Sequence, residues 1–403
     1  MASRDHCRVR RNRSIILLAI GHACVDVYQG AVTALVPFFI AEREYTYAAV
    51  SGLVLAASLL SSVAQPLFGA ITDRWALPWL LPVSTVLAGV GIGLSGVSGS
   101  YGLTLVFTAI AGVGVAAYHP ESARLARRAS GGSHTAMGWF SLGGNVGFAF
   151  APLMVTAVMA GGGLRLTPVL IIPGLAGAAL CLPLLRALRA APGSGAESRT
   201  GIDDPRSFAI LSLAVVCRSI VFIGLGTFVA LYAQERTGGG TSVGAVALFL
   251  LYLGGAVGTV AGGRLADRWD RVTVVRWSYL LALVATTGVI FVTGPAFFMF
   301  VALTSAGLYI PFALQVTLGQ DYLPSRVGTA SGITLGLTVS IGGLASPLIG
   351  ALADATSLRT ALMPLIAFPG LAWLLFRFLA EPPAPRLGVP ARNEGTIGRV
   401  QGP

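Results

Sequence analysis

Apolar runs of about twenty residues recur along the whole chain and are separated by short polar breaks. A run of that length crosses the hydrocarbon core of a bilayer as one α-helix. We therefore predict an all-α membrane protein. The twelve predicted spans are residues 14–40, 46–71, 78–98, 101–123, 134–160, 166–188, 207–233, 243–266, 272–293, 295–318, 327–352 and 358–380.

The composition excludes the soluble classes of protein. Only 11% of the 403 residues are charged and 55% are hydrophobic, whereas soluble domains carry about 25% charged residues. Sixteen acidic and 27 basic side chains are too few to cover the surfaces of a soluble enzyme of this length. The four cysteines are scattered without paired spacing, so we expect neither a disulfide scaffold nor a cysteine-bound metal.

The net charge of +11 indicates topology rather than nucleic-acid binding, because arginine concentrates in the cytoplasmic loops of membrane proteins. All 27 basic residues are arginine. With twelve spans and cytoplasmic termini, the predicted outer loops hold only Arg43, Arg165, Arg236 and Arg359, and Arg218 falls inside a span. We expect a multi-pass protein of the inner (plasma) membrane with both termini in the cytoplasm, bound by the lipid bilayer and not by nucleic acid.

Polar stretches divide the chain into five parts. Residues 189–206 are rich in Pro, Gly, Ser and mixed charge, which predicts a flexible cytoplasmic linker between two bundles. No polar part has room for a nucleotide-binding domain, and no Walker A motif occurs, so the chain does not drive ATP-powered transport alone. The predicted parts are a cytoplasmic segment 1–13, a bundle 14–188, the linker, a bundle 207–380 and a disordered cytoplasmic tail 381–403.

The two predicted bundles repeat each other. A Gly-x3-Asp-Arg motif ends the second span and recurs 194 residues later at the end of the eighth. An acidic residue just beyond a helix C-terminus is unfavourable unless a positive charge or another helix's N-terminus compensates it. Such a pair can act as a gate that holds one access state, although interfacial charge that merely ends a helix is the alternative. The gating set is Gly69, Asp73, Arg74, Gly263, Asp267, Arg268 and Arg271.

These motifs resemble those of the major facilitator superfamily, whose fold has two pseudo-symmetric six-helix bundles with the substrate site between them. Gly138, Gly147 and Pro152 resemble that superfamily's antiporter motif in the fifth span, although Ala151 replaces a glycine. The sequence Tyr118-His119-Pro120-Glu121 is the most specific of several elements similar to the fosmidomycin resistance protein family. That resemblance implies proton-coupled export of a small molecule.

Ionisable residues within the spans are candidates for function, because burying one costs about 2.5–3.5 kcal/mol. His22 and Asp26 are four residues apart and share one helix face, which suits proton transfer. Arg218 lies close to the repeat equivalent of Asp26. We expect Asp26 and Arg218 to face each other across the central cavity, with a structural ion pair between the bundles as the alternative.

Further candidates lie in the fourth, fifth and tenth spans. His119 and Glu121 end the fourth span and join the proton-coupling set, unless they are solvated charges at its cytoplasmic edge. Gln315 is the repeat equivalent of Glu121. The substrate-binding set is Arg218, Gln315, Asn145 and Tyr28. His119-x-Glu121 offers too few ligands for a metal site, so we expect no metal and no cofactor.

Three hypotheses follow. The favoured one is a monomeric secondary transporter that exports a drug or an anionic metabolite in exchange for protons. The second keeps the fold and reverses direction, as a proton-coupled uptake symporter for a small anionic metabolite. The third, a membrane enzyme with His119 as base, lacks a nucleophile or a complete metal set and does not explain the repeat.

Overall fold

A computed structural model describes residues 2–75, 77–130, 134–188 and 202–382. These residues form α-helices and short 3-10 segments, with no strand among them. The helices are α1 (Ala2–Ala34), α2 (Val36–Arg43), α3 (Tyr47–Arg74), α4 (Leu80–Ser95), α5 (Tyr101–Ser130), α6 (His134–Met159), α7 (Ile171–Leu188), α8 (Pro205–Thr237), α9 (Thr241–Ala266), α10 (Arg271–Phe291), α11 (Ala296–Tyr322), α12 (Val327–Ala355), α13 (Leu358–Leu362) and α14 (Ala367–Phe376).

Each of the twelve predicted spans coincides with one of these helical segments. Ten segments are long and apolar enough to cross a membrane, and two shorter apolar helices, Leu80–Ser95 and Ile341–Ala355, lie at the third and eleventh predicted positions. Outward-facing aliphatic side chains such as Val63 and Leu348 are mostly exposed, as expected where lipid replaces water. The prediction of an all-α membrane protein is confirmed.

Three predicted spans are interrupted, and each break contains a proline, which cannot donate the backbone hydrogen bond of a helix. In the first predicted span, α1 ends at Ala34 and α2 begins at Val36, with Pro37 in the first turn of α2. The sixth opens with a 3-10 segment that contains Pro168. The twelfth passes from α13 through a 3-10 segment beginning Met363-Pro364 into α14.

The helices pack as two bundles. In the first half α1 packs on α6, and α5 packs on α3 and α4; in the second half α11 packs on α9 and α10, and α12 on α8. The halves meet where α3 contacts α12 and α6 contacts α9. These pairs are related by the repeat, because α3 corresponds to α9 and α6 to α12.

The chain alternates direction, so the bundle has two ends. We call the end where α1 and α8 begin the near end, and the end where α3 begins the far end. At the near end, Asp203 accepts hydrogen bonds from the hydroxyl and the backbone amide of Ser325, and these lower the pKa of Asp203. The contact ties the chain before α8 to the turn after α11, within the second half. Residues 189–201 of the predicted linker and 383–403 of the predicted tail lie outside the described residues.

Candidate functional site

Asp26 lies between two histidines from different helices, and we call these three residues the Asp26 cluster. Its Oδ2 atom is 3.2 Å from Nε2 of His22, one turn earlier on α1. Its Oδ1 atom is 3.2 Å from Nε2 of His119 on α5. His22 and Asp26 are each only 8% exposed. The structure therefore brings together the predicted His22–Asp26 pair and adds His119 to it.

Backbone carbonyls orient both imidazole rings of the cluster. Nδ1 of His22 is 3.0 Å from the carbonyl oxygen of Phe140, and Nδ1 of His119 is 2.8 Å from that of Val115. A carbonyl only accepts, so each Nδ1 carries a hydrogen, and in a neutral ring Nε2 then presents a lone pair. Two such lone pairs and a carboxylate converge here. Repulsion among these acceptors is relieved when the cluster binds a cation, either a proton or a metal ion.

The wall around the cluster comes from aromatic rings and one glycine. The Phe140 ring stacks on His22 with centroids 4.4 Å apart, and Tyr118 lies on another side of the same imidazole. A Cβ at Gly144 would lie 2.5 Å from Oδ2 of Asp26 and 2.7 Å from Nε2 of His22. Only glycine at this position of α6 leaves room for the pair.

The glycine motif of the fifth span sets the distance between α1 and α6. A Cβ at Gly147 would overlap the backbone of Ala23, and one at Gly143 would overlap the backbone of Ala19. This close approach places α6 directly against the helix that carries Asp26, as small residues do at membrane helix contacts. Gly138, by contrast, has no neighbour within 4 Å of the position that a Cβ would take. Pro152 lies within α6, where it leaves the Phe148 carbonyl without its usual helical donor.

Glu121 is fully buried but does not share the contacts of His119. Two residues apart on α5, the two side chains point to different faces. Nε of Arg124 donates to Oε2 of Glu121 at 2.8 Å, and Nη2 of Arg124 makes a second, very short contact to Oε1. The bidentate pair neutralises the Glu121 carboxylate within its own helix. A proton-carrying role for Glu121 therefore stays a prediction that no contact to the Asp26 cluster supports.

Arg218 is 2% exposed and forms part of a second buried cluster in the other half. Its guanidinium carbon lies 5.1 Å from the ring centre of Phe312 and 5.8 Å from that of Tyr309, within cation–π range. The ion contacts of Asp26 are His22 and His119. The expected face-to-face arrangement of Asp26 and Arg218 stays a prediction.

The other predicted substrate-binding residues occupy different environments. Nε2 of Gln315 donates to the Tyr279 hydroxyl at 2.7 Å, and Gln315 is 1% exposed within the second half. The Tyr28 hydroxyl donates to the Leu170 carbonyl at 2.8 Å and so holds α1 to the 3-10 segment before α7. Asn145 follows Gly144 on α6 and is partly buried. Gln315 and Tyr28 therefore have structural hydrogen bonds in this conformation.

Side-chain contacts are described for the second copy of the loop motif but not for Asp73 and Arg74 of the first copy. The side chains of Asp73 and Arg74 lie outside the described residues, and nothing lies within 4 Å of the positions that a Cβ would take at Gly69 and Gly263. Asp267 and Arg268 lie at the end of α9, where Arg268 is exposed. Arg271 contacts Asp321 at 2.7 Å and Glu381 at 2.6 Å. It thereby joins the start of α10 to the end of α11 and to the chain that follows α14.

Sequence reasoning missed a contact between the halves at the far end. The Asp354 carboxylate on α12 accepts hydrogen bonds from the backbone amides of Tyr47 and Ala48, at 2.8 and 2.9 Å. These amides form the N-terminus of α3, where helix polarity favours a negative charge. Thr33 and Tyr252 add a hydroxyl contact of 2.5 Å between α1 and α9. These contacts join the two halves of the molecule.

Both halves line a small central cavity. Its volume is about 50 Å³, and its wall includes Gln29 and Tyr28 of α1, Ser58 of α3 and Phe222 of α8. Val115, whose carbonyl accepts the hydrogen bond of His119, also lines it and connects the cavity wall to the Asp26 cluster. Pockets for small molecules measure roughly 300–1,000 Å³. A substrate therefore needs the halves to move apart around it.

The Asp26 cluster also changes the argument about metals. One ligand atom from each of His22, Asp26 and His119 lies within 4.8 Å of the other two. From the sequence, His119 and Glu121 alone are too few ligands for a metal site. The structure removes Glu121 from the set and supplies His22 and Asp26 instead.

The structure thus has two packed helical bundles with helices long enough to span a membrane and a cavity lined by both halves. A family model of the Major Facilitator Superfamily matches residues 18–347. The chain belongs to that superfamily and is a multi-pass membrane transporter rather than an enzyme.

Curated relatives cover nearly the whole chain. The chain is 28% identical over 375 residues to the fosmidomycin resistance protein of Escherichia coli (strain K12), covering 90% of this chain and 92% of that protein. It is 27% identical over 383 residues to the uncharacterized MFS-type transporter YfnC of Bacillus subtilis (strain 168), covering 90% and 91%. The resemblance to the fosmidomycin resistance protein family is confirmed.

Solved structures agree on the fold. A bacterial homolog of the human lysosomal transporter Spinster, in an inward-facing and unoccupied conformation, superposes with a TM-score of 0.74 at 16% identity, over 91% of this chain and 97% of that one. The nucleoside transporter NupG gives a TM-score of 0.72 at 11% identity, over 91% and 98%. These likenesses establish the two-bundle architecture.

Proposed function

We propose that the chain exports a small anionic molecule, with fosmidomycin-like phosphonates as the substrate class, in exchange for protons. The observation that carries the proposal is the Asp26 cluster, in which a buried carboxylate and two imidazoles converge and His119 contacts Val115 of the cavity wall. Imidazole and carboxylate can exchange protons under physiological conditions. The similarity to the E. coli fosmidomycin resistance protein supports the substrate class.

Arg218 supplies the positive charge for the substrate. A guanidinium binds two oxygens of a phosphonate or carboxylate through its planar fork. The Tyr309 ring lies 5.8 Å from the guanidinium carbon of Arg218 and forms part of the wall of this site. Alternating access follows as the halves rock about the cavity. The far-end contacts of Asp354 break when that end opens.

The orientation follows from the arginines. The near end faces the cytoplasm of the inner membrane, because 22 of the 27 arginines lie on or near that side in the predicted topology. Both termini are then cytoplasmic. The chain acts as a monomer, with the substrate site formed between its own two halves.

Proteoliposomes with an entrapped pH dye test the proposal. A fosmidomycin gradient should drive proton movement through the wild-type protein and not through Asp26→Asn, whereas Asp204→Asn, a helix cap at the near end, should behave as wild type. Glu121→Gln tests whether proton transfer also requires a carboxylate outside the Asp26 cluster. Equal proton coupling in wild type, Asp26→Asn and Glu121→Gln would contradict proton transfer through these residues.

Uptake is the second candidate function. The buried Ala151 replaces a glycine of the antiporter motif, and its methyl group packs next to Gly30 of α1. Accumulation of labelled fosmidomycin in cells separates the two directions. Cells that lack an exporter accumulate more of the compound, and cells that lack an importer accumulate less.

A further inference from the structure

We propose that His22, Asp26 and His119 form a binding site for a divalent transition-metal ion of the zinc class. Their three ligand atoms all lie within 4.8 Å of one another. Two imidazole nitrogens and one carboxylate oxygen are a donor set that suits Zn²⁺, Ni²⁺, Co²⁺ and Fe²⁺, whereas Mg²⁺ and Ca²⁺ prefer sites made of oxygen alone.

The spacing of the ligand atoms fits a metal ion with little rearrangement. Zinc binds imidazole nitrogen and carboxylate oxygen at about 2.0–2.2 Å, so tetrahedral ligand atoms lie about 3.3–3.5 Å apart. The contacts of Asp26 with the two histidines are 3.2 Å each, one through Oδ2 and the other through Oδ1. The carboxylate must therefore turn to bring one oxygen to the ion, and the histidine–histidine spacing must close. The His119 side chain, which is 26% exposed, has the freedom to do so and opens a path of entry.

An independent feature of the cluster also points to a cation. Metal-binding histidines commonly donate their second N–H to a carbonyl, which fixes the tautomer and aims the other nitrogen at the metal. His22 and His119 both have this arrangement, through the Phe140 and Val115 carbonyls. In addition, Nε2 of His22 and Oδ1 of Asp26 are buried without an aligned hydrogen-bond partner. Three protein ligands leave a fourth position for water or another ligand, as in open zinc sites.

Metal binding at this site would join α1 to α5 and compete with protons for the same lone pairs. Inhibition of transport by Zn²⁺ is therefore expected, and only this consequence rests on the proposed function. Binding itself needs no transport activity, so the two proposals fail separately.

Titration of the purified full-length protein with Co²⁺ tests the site. The wild-type protein should bind one Co²⁺ with visible absorption bands of a four- or five-coordinate ion, and Zn²⁺ but not Mg²⁺ should displace it. Asp26→Asn, His22→Gln and His119→Gln should each weaken binding by at least about 100-fold, because loss of an outer-shell partner alone weakens binding 10–100-fold. The matched control replaces the other two histidines, His6 and His134, with Gln and should keep the absorption bands.

X-ray absorption of Zn²⁺ bound to the wild-type protein keeps the proposal testable if a variant does not fold. The expected spectrum shows two imidazoles and oxygen ligands at about 2.0–2.2 Å. Sulfur ligation, loss of the bands in the His6/His134 control, or the absence of a one-to-one Co²⁺ complex would each overturn the site.

Discussion

Both halves of the molecule bury ionisable groups, and Arg218 lies two residues from the repeat equivalent of Asp26, but the chemistry of the two clusters differs. In the first half, the Asp26 carboxylate lies between the imidazoles of His22 and His119. In the second half, the Arg218 guanidinium packs on the rings of Tyr309 and Phe312. One cluster is made of groups that gain and lose protons, and the other of a group that keeps its charge.

This difference suggests a division of labour between the halves. Histidine changes charge near physiological pH, and its partner carboxylate can share the same proton. A guanidinium stays protonated in proteins and recognises planar anionic groups. We therefore infer that the first half handles the coupling ion and the second half binds the charge of the substrate. Substitutions in each cluster should then affect different steps of transport.

The largest expected effect is that of Asp26→Asn on proton-coupled transport. The amide keeps the size of the carboxylate but cannot take up and release the proton, so proton-driven fosmidomycin flux should fall to the level of empty liposomes. Exchange of labelled for unlabelled fosmidomycin, which needs no net proton movement, should continue. Loss of exchange together with coupled flux would break the comparison, because Asp26 would then also serve the substrate.

Arg218→Gln should act on the other cluster and weaken fosmidomycin binding by about 10- to 100-fold. The estimate follows from about 1.5–3 kcal/mol for a hydrogen bond to a charged group. Arg218→Lys should recover only part of the affinity, because the lysine ammonium lacks the bidentate fork. Equilibrium binding of labelled compound to purified protein measures both variants. Wild-type affinity in Arg218→Gln would show that Arg218 does not bind the anionic group of the substrate.

A smaller effect is expected at the glycine contact that supports the Asp26 cluster. The methyl group of Gly147→Ala would overlap the backbone of Ala23, and overpacking of this kind costs about 1–3 kcal/mol. Thermal unfolding in detergent should therefore show a lower Tm. Gly138→Ala is the matched control: no neighbour lies within reach of its methyl group, so its Tm should match or slightly exceed wild type. A Tm for Gly147→Ala equal to that of the control would show that α1 and α6 are not so closely packed.

The smallest expected effect is that of Asp354→Asn on the balance between access states. Loss of a charge at a helix N-terminus costs about 0.3–1 kcal/mol, which shifts an equilibrium about two- to fivefold. Distances between spin labels at Ala41→Cys and Ala355→Cys should show a larger population with the far end open. Asp270→Asn removes a similar cap inside the second half, at Thr273, and should leave the distances unchanged. An unchanged distance distribution in Asp354→Asn would show that this contact does not control opening of the far end.

The helices and one contact of the site, the His22–Asp26 pair, were predictable from the sequence. Apolar runs located all twelve spans because a bilayer requires long apolar helices. The His22–Asp26 pair followed from helical spacing, since residues four apart share a face. Residues three apart on a helix also share a face, so the Arg124–Glu121 pair was predictable in the same way. Without that pair, Glu121 was grouped with His119.

The rest of the site depends on packing that local patterns do not encode. His119 reaches Asp26 only because α5 and α1 pack together in the first bundle, where α6 also approaches α1 through Gly143 and Gly147. Asp354 contacts the start of α3 across the two halves and belongs to no repeated motif. The orientation of both imidazoles by backbone carbonyls likewise required the three-dimensional arrangement.

Proton release on substrate binding tests the division of labour most directly. Fosmidomycin added to purified protein in weakly buffered detergent solution, with a pH dye, should release protons from the wild-type protein. We predict that Asp26→Asn binds fosmidomycin without releasing protons, and that Arg218→Gln, at a concentration near the wild-type Kd, shows strongly reduced binding and release. Proton release by Asp26→Asn equal to that of the wild type would contradict the assignment of the coupling ion to the first half.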